Sequence, residues 1–527
     1  MGKYLNPGNA GFTEITNGNY VDKTGLIGLI NESINTPQKL TCVSRPRRFG
    51  KSFAAQMLCA YYDCTCDSES LFNGYEVAKT ASYKEYLNKF NVLYLDITGF
   101  ISNLKSKERE LREIVSDITE AIKRELVEDY PELEAITELI DCLIGYAEKS
   151  SKQFIFIIDE WDSVIREGKN DEKIQIIYLN LLREWFKNGN FTPQVVAAAY
   201  MTGILPIKKD GTESAISDFM EYTVLNPGRF ARYTGFTETE VKCLCEETNQ
   251  NFEKMKEWYD GYSFIQEDSI YNPYSVMSVI RMQNFESFWQ KTSAAESLPT
   301  YINLNFNGLQ DDIIRLIAGE NIEVNVNGFA NDVESFKTKD DVLTLMVHLG
   351  YLAYNSYDRT VMIPNKEVKT EFEDLIKNAD NTKLCELVQK SRKLLQDTID
   401  GDETSVCKGI EKIRESSYAP TFYNDEQSLR YVIKFAYIVC VDQYVRVEEL
   451  PSGKGIADVV YIPKKNSNLP ALVVELKWNK TEDAAIKQIK EKNYPSVIKD
   501  FDGDIVLVGI NYDEKNKTHT CKIERIS

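Results

Sequence analysis

An apolar run, Leu40-Thr-Cys-Val43, leads straight into Ser44-Arg-Pro-Arg-Arg-Phe-Gly50-Lys51-Ser52, and a helical pattern (Phe53, Met57, Leu58, Tyr61) comes next. Strand, Gly-Lys-Ser loop and helix in that order are the setting in which a phosphate-binding loop works. Amide groups at the helix start can cradle phosphate. Lys51 would reach the β- and γ-phosphates, and Ser52 would ligate Mg²⁺. The full pattern carries glycine where Arg45 stands, because the loop turns tightly around its ligand. Further on, Phe154-Ile-Phe-Ile-Ile158 ends in Asp159 and Glu160. This reads as a buried parallel strand, with Asp159 holding the metal and Glu160 polarising an attacking water. More strands are expected at Val92 to Ile97, at Val195 to Met201 and at Tyr222 to Leu225. Thr202, just past the second of these, is a candidate γ-phosphate sensor. Amphipathic helices are expected through Leu111, Ile114, Val115, Ile118 and Ile122, through Leu133, Ile136, Leu139, Ile140 and Leu143, and from Ile174 to Trp185. Such alternation predicts an α/β fold with a doubly wound parallel sheet. Ligand then binds beyond the C-terminal strand ends, where Lys51, Asp159 and Thr202 fall.

A second constellation lies near the C-terminus: Gly455-Ile-Ala-Asp458, then Val473-Val-Glu475-Leu-Lys477. Period two puts Glu475 and Lys477 on one face of a strand. If the preceding strand, Val459 to Ile462, pairs with it, Asp458 joins them. Two carboxylates there can hold Mg²⁺ through oxygen, and a lysine can support a nucleophile or the charge on an attacked phosphate. A charge inside the apolar run Leu472 to Val474 and beyond needs a reason. A helix from Thr481 to Asn493 shares one face among Ala484, Ala485, Gln488 and Ile489, so Gln488 turns inward toward a partner.

These residues resemble the PD-(D/E)XK nuclease superfamily, whose motif positions fall on Asp458, Glu475, Lys477 and Gln488. The resemblance implies a further acid on the helix before the hairpin. Tyr423-Asn-Asp-Glu426 opens such a helix (Leu429, Val432, Ile433, Ala436, Tyr437), which makes Glu426 the candidate. Over most of its length the chain is similar to bacterial AAA-ATPase-like proteins fused to such a nuclease domain. The matching segments are Asn19 to Thr24, Ser44 to Ser52, Ile158 to Asp162, Met201 to Ile204, Phe236 to Val241, Trp258 to Tyr262 and Tyr271 to Ser275. In that family an arginine at the position of Arg45 is usual, and Arg45 is counted with Arg47, Arg48, Gly50, Lys51 and Ser52 among the residues expected at the phosphates. Arg47 and Arg48 can then replace lost loop contacts with guanidinium–phosphate bonds. ATP and Mg²⁺, with Mn²⁺ as a substitute, are the implied cofactors.

Bulk properties set limits. A length of 527 residues calls for roughly two to four domains. No apolar run approaches the roughly 20 residues that span a bilayer. The first residues lack the apolar core of a signal peptide, so a cytoplasmic setting without membrane contact is expected. Eleven scattered cysteines and only two histidines, His348 and His519, give no zinc or disulfide framework. Carboxylates and lysine must carry the chemistry. A net charge of −19 sits badly with a nucleic-acid binder, but it is uneven. From Thr421 onward 16 basic residues balance 16 acidic ones, so the whole excess lies upstream.

The expected organisation is a P-loop AAA-ATPase-like domain over 1–235, a mostly helical lid or middle domain over 236–370, and a nuclease-like α/β domain with a helical lead-in over 371–527. Within the middle, Asp341 to Leu352 and Val361-Met-Ile-Pro364 read as the helix and strand of a winged-helix-like lid. Trp258 to Tyr262 and Tyr271 to Tyr274 read as aromatic turns that pack a core. Arg229 and Arg232 are candidate arginine fingers or sensor residues, set against ordinary surface ion pairs. The expected function is Mg²⁺-dependent cleavage of nucleic acid, DNA first, regulated by ATP, with a homo-oligomer or a regulatory protein as partner. The competing reading is an NTP-dependent sensor whose nuclease-like domain binds without cutting.

Overall fold

A computed structural model describes residues 2–526 apart from 169–170, 208–215, 217, 265–266, 290–305, 307, 328, 330–335, 378–381, 416–425, 453–454, 465–468, 492–500 and 502. Its contacts divide it into two compact units. One is Met1–Ala294 with Glu323–Glu367, the other Ala295–Ile322 with Val368–Ser527.

Five parallel strands organise the first unit: β1 (Leu40–Ser44), β2 (Asn91–Asp96), β3 (Phe154–Asp159), β4 (Val196–Gly203) and β5 (Met220–Tyr222), in the order β2-β3-β4-β1-β5. β1, β3 and β4 are buried along their whole length, as apolar runs must be when helices cover both faces. Alternate side chains serve separate cores. Phe154, Phe156 and Ile158 join Ile118, Leu143 and Trp185, while Ile155 and Ile157 join Met57, Leu58 and Tyr61 of the helix α1 (Lys51–Tyr62) that succeeds β1. The α/β doubly wound class read from the sequence is the class that forms.

Two expectations shift. The edge strand β5 stops at Tyr222, since Thr223 begins a turn in which its amide donates to Asn226 O at 3.1 Å. The helix expected through Leu133 to Leu143 is broken. Pro131–Ala135 forms a 3₁₀ turn, Ile136 is extended, and a separate helix, Leu139–Ser150, starts after Glu138. Proline pre-sets the first turn, and the chain leaves it before the apolar face can continue.

Several matched segments prove to be ties. Asp22 accepts from the Thr24 amide at 2.9 Å and the Glu76 amide at 2.7 Å. Lys23 Nζ donates to Arg232 O at 2.7 Å and to Glu240 at 2.6 Å. Glu240 also closes a capping box with Thr237 on the helix Glu238–Thr248. Tyr259, Tyr262 and Tyr271 are buried, which is the core-packing reading. Asn272 caps α2 (Pro273–Met282) through the Tyr274 amide at 2.9 Å. The helix Lys339–Leu349 and the antiparallel pair Ala353–Asn355 with Thr360–Met362 stand where a lid helix and strand were expected. Arg229 forks onto Glu32 at 2.5 and 2.9 Å, the ordinary surface pairing. α3 (Lys366–Lys377) begins at the end of this unit.

In the second unit, Gly401 (φ 77°) separates the helices Thr382–Asp400 and Glu403–Arg414. α4 (Glu426–Ala436) buries Leu429, Val432, Ile433 and Ala436. Five strands come after it: β6 (Tyr444–Ser452), β7 (Gly455–Pro463), β8 (Ala471–Trp478), β9 (Ile505–Asp513) and β10 (Thr518–Ile526), paired in chain order. Only β8 and β9 are parallel. Between them in sequence runs α5 (Glu482–Glu491), whose Ile486 and Ile489 pack on Val460, Val473 and Leu507.

Candidate functional site

The loop between β1 and α1 holds two left-handed residues, Arg48 (φ 68°) and Gly50 (φ 86°). Glycine takes that conformation without strain, and at Gly50 a Cβ would meet open space. The first turn of α1 carries no acid, as suits an anion at a helix start. Lys51 is almost fully buried, and its ammonium donates to Arg45 O at 3.1 Å and Pro46 O at 2.9 Å. Arg45, expected at the phosphates, is sealed from solvent. Its Nη1 donates to Ser44 O at 2.8 Å and Tyr222 O at 2.9 Å, and its guanidinium lies 5.2 Å from the Phe264 ring centre. Burial lowers its pKa to about 10. In this arrangement only its backbone can meet a ligand, because the side chain fills the space against the β5 edge.

At the C-terminal ends of β3 and β4, Asp159 accepts hydrogen bonds from the Ser52 and Thr202 hydroxyls. Burial pushes its carboxyl up, and those two hydroxyls oppose the shift. Ser52 and Asp159 therefore offer adjacent oxygens, a donor set that suits Mg²⁺. Glu160 sits on left-handed backbone (φ 55°), its amide 3.2 Å from Thr202 Oγ1 and its carboxylate 3.6 Å from Lys51. Burial raises its pKa, but Lys51, Arg166 and Arg47 outweigh that and hold it below the usual range. Arg166, which sequence reasoning missed, pairs with Glu160 at 2.5 Å and with Asp162 at 2.9 Å. The signal available was the four-residue spacing of Asp162 and Arg166.

Beside the loop lies a small cleft lined by Arg47, Arg48, Tyr274 and Ser275, with Phe288 and Trp289. The Arg48 guanidinium stacks 3.7 Å from the Tyr274 ring centre. Behind Ser275 is Glu367, almost fully buried, accepting from Ser275 Oγ at 2.8 and 2.9 Å and from the Phe288 amide at 2.9 Å. Burial pushes its carboxyl from 4.5 up to about 7, against the lowering effect of those donors, the Trp289 amide and the Arg48 charge. The folded state thus keeps a proton that the unfolded chain loses at lower pH. Stability is full below pH 4.5, falls as pH rises to 7, and is lower by about 3 kcal/mol above that. Thermal melting of Glu367→Gln across pH 5 to 8 is expected to lack this fall and to exceed the parent above pH 7. Parallel curves for the two proteins would show that the group does not titrate in this window.

In the second unit, the pairing of β7 with β8 ends at Val459 opposite Val474, and Asp458 and Glu475 are the residues next in sequence to that last pair. The Asp458 side chain lies outside the described residues. Glu475 and Lys477 are nearly fully buried, with Lys477 Nζ 3.0 Å from Glu475 Oε1 and 2.9 Å from Leu476 O. Gln488 Nε2 donates to the same Glu475 oxygen. Gly509, the β9 partner of Glu475, makes this possible. A Cβ there would stand 2.7 Å from Glu482 O and 3.1 Å from Ala485 Cβ, so only glycine lets α5 come so close. Sequence reasoning missed Gly509 too, although a glycine inside Ile505-Val-Leu-Val-Gly-Ile510 was the clue. Glu426 is the first residue of α4 and partly exposed. Its place in the site rests on resemblance alone, and Tyr423 to Asp425 lie outside the described residues. A buried carboxylate beside a lysine and an amide, with a second acid on the neighbouring strand, is a donor set that fits a divalent cation.

Sheet order and loop are those of a P-loop domain, and the second, mixed sheet is consistent with a PD-(D/E)XK fold. Residues 8–212 match the family model described as Predicted AAA-ATPase, and residues 430–522 match that of the PD-(D/E)XK nuclease superfamily. Residues 8–212 thus form an AAA-ATPase-like domain and residues 430–522 a PD-(D/E)XK nuclease-superfamily domain, which support nucleotide binding and nuclease potential. No curated protein matches it. Among solved structures it is similar to the Aeropyrum pernix ORC2 protein in ADPNP–ADP complexes, with 12% identity over 68% of this chain and 96% of that one and a TM-score of 0.28. It is also similar to AMPPCP-bound DnaA from Aquifex aeolicus, with 12% identity over 63% and 80% and a TM-score of 0.25. No described helix is long and apolar enough to cross a membrane.

Proposed function

We propose that the chain is a nucleotide-regulated, Mg²⁺-dependent nuclease acting on DNA. The observation that carries this reading is the convergence of Glu475, Lys477 and Gln488 on one buried point of a sheet. Glu475, with Asp458, would hold the cation, with Mn²⁺ able to replace Mg²⁺. When bound, the cation supplies charge to a phosphodiester under attack and lowers the pKa of a ligated water. Lys477 supports the attacking water or the developing charge, Gln488 fixes the carboxylate that accepts from it, and Glu426 is the auxiliary acid. In the other unit, Gly50 and the α1 amides cradle phosphates. Lys51, Arg47 and Arg48 neutralise them, Ser52 and Asp159 would hold Mg²⁺, Glu160 orients water and Thr202 senses the γ-phosphate. We keep the three-part division at 235 and 370 as part of this reading, with a cytoplasmic setting and a homo-oligomer or regulatory partner to offset the acidic first part.

The test is incubation of the purified protein with DNA and with RNA, with Mg²⁺ or Mn²⁺ and with or without ATP. ATP-sensitive, chelator-sensitive cleavage of DNA is expected. Calorimetric binding of ATP without metal uptake or cleavage would instead support a second reading, an NTP-dependent sensor with a non-cutting nuclease fold. The pairing of Glu160 with Arg166 favours that second reading, because a carboxylate so engaged is slow to act as a base.

A further inference from the structure

The surroundings of Glu160 reach beyond nucleotide binding, and their role rests on the nucleotide site proposed at Lys51, Ser52 and Asp159. Each carboxylate oxygen of Glu160 faces a cation. Oε2 is 2.5 Å from Arg166 Nη2, and Oε1 is 3.6 Å from Lys51 Nζ. The left-handed backbone at Glu160 (φ 55°) is strained in a residue with a side chain and persists only where surroundings enforce it. Arg166 enforces it. Its Nε is 2.9 Å from Asp162 Oδ2 and its Nη2 2.9 Å from Ser163 Oγ. Asp162 is fully buried, and the same Oδ2 accepts from the amides of Ile204 at 3.2 Å and Leu205 at 3.0 Å, just past Thr202.

We infer that Arg166 is a positioning residue that restrains nucleotide hydrolysis, by anchoring Glu160 through Asp162 to the segment just past β4 and keeping its carboxylate from a water beside the γ-phosphate. Phosphate binding draws Lys51 away from Glu160 but leaves Arg166 in place, since the other bonds of Arg166 are internal to the fold. Release requires movement of residues 202–205, to which Asp162 is tied. The chain therefore binds ATP readily and turns it over slowly until that segment shifts, so hydrolysis is timed by whatever moves the end of β4.

The experiment uses the full chain, with ATP binding measured by calorimetry and turnover by phosphate release. Arg166→Gln is expected to raise kcat for ATP at least about tenfold, a modest part of what a positioned base supplies, with KM changed by less than about twofold. Arg166→Lys keeps a cation in reach and is expected to stay slow. Adding Glu160→Gln to Arg166→Gln is expected to erase the gain. Asp162→Asn loosens the anchor without touching Glu160 and is expected to give a smaller increase, which covers the case in which Arg166→Gln folds poorly. Unchanged or reduced kcat in both Arg166→Gln and Asp162→Asn, with ATP binding intact, overturns the inference alone. Failure of the parent protein to bind ATP overturns the nucleotide site and the inference with it.

Discussion

Glu475→Gln is expected to reduce metal-dependent cleavage about a thousandfold or more while leaving ATP affinity unchanged. The carboxylate is buried between Lys477 and Gln488, so an amide of the same size removes a cation ligand and little volume. Losses of that order result when one preorganised charged group leaves a phosphodiester-cleaving site. The substitution also strands the Lys477 ammonium, which is 5% exposed and loses its ion pair. Breaking a buried pair costs about 3–5 kcal/mol, so folding must be monitored. Titration of Mn²⁺ separates the two effects. A folded variant that fails to take up metal supports the assignment, and one that cuts within about twofold of the parent removes Glu475 from the chemistry.

Gly261→Ala is expected to destabilise the first unit by about 4 kcal/mol, near the upper end for a single substitution. Gly261 has φ of 126°, where a side chain is strained, and an ideal Cβ would stand 1.7 Å from Pro364 O and 2.5 Å from Pro364 C. Both are backbone atoms and cannot swing aside. The turn is further fixed by Asp260, whose Oδ1 accepts from the Gly261 amide at 2.7 Å, and by Tyr262, whose hydroxyl donates to Gly350 O at 2.6 Å. Pro364 leads into Lys366 and Glu367, so the damage reaches the start of α3. Gly74, where a Cβ meets nothing within 4 Å, is the control: Gly74→Ala is expected to be near neutral. Equal denaturant midpoints for the two variants would show that the turn gives way.

The parallel sheet was legible because strands covered on both faces must be apolar throughout, and Phe154 to Ile158 has no other reading. Gln488 was legible because helical spacing put it among apolar residues, and it does reach Glu475. Arg45 was misread. An arginine in a phosphate loop looks like a ligand, and nothing local announces that its partner, Tyr222 O, is 177 positions away. The segment Leu133 to Leu143 failed for a local reason, since its apolar spacing continued across a proline-led turn that the periodicity ignored. Gly509 and Arg166 act through long-range approach and a charge network, which spacing alone does not encode.

The two units are interleaved along the chain. The helix Leu309–Ile317 packs with Thr382–Asp400, and Ala318 O accepts from Arg446, whereas Glu323–Glu367 belongs with the earlier sequence. A ribosome delivers residues in order, so the ATPase-like unit cannot close until Glu367 has emerged, and by then a piece of its neighbour is already waiting without its partners. An expression clone that begins at 371 would omit that piece. The nuclease-type unit is therefore best assayed from the intact polypeptide.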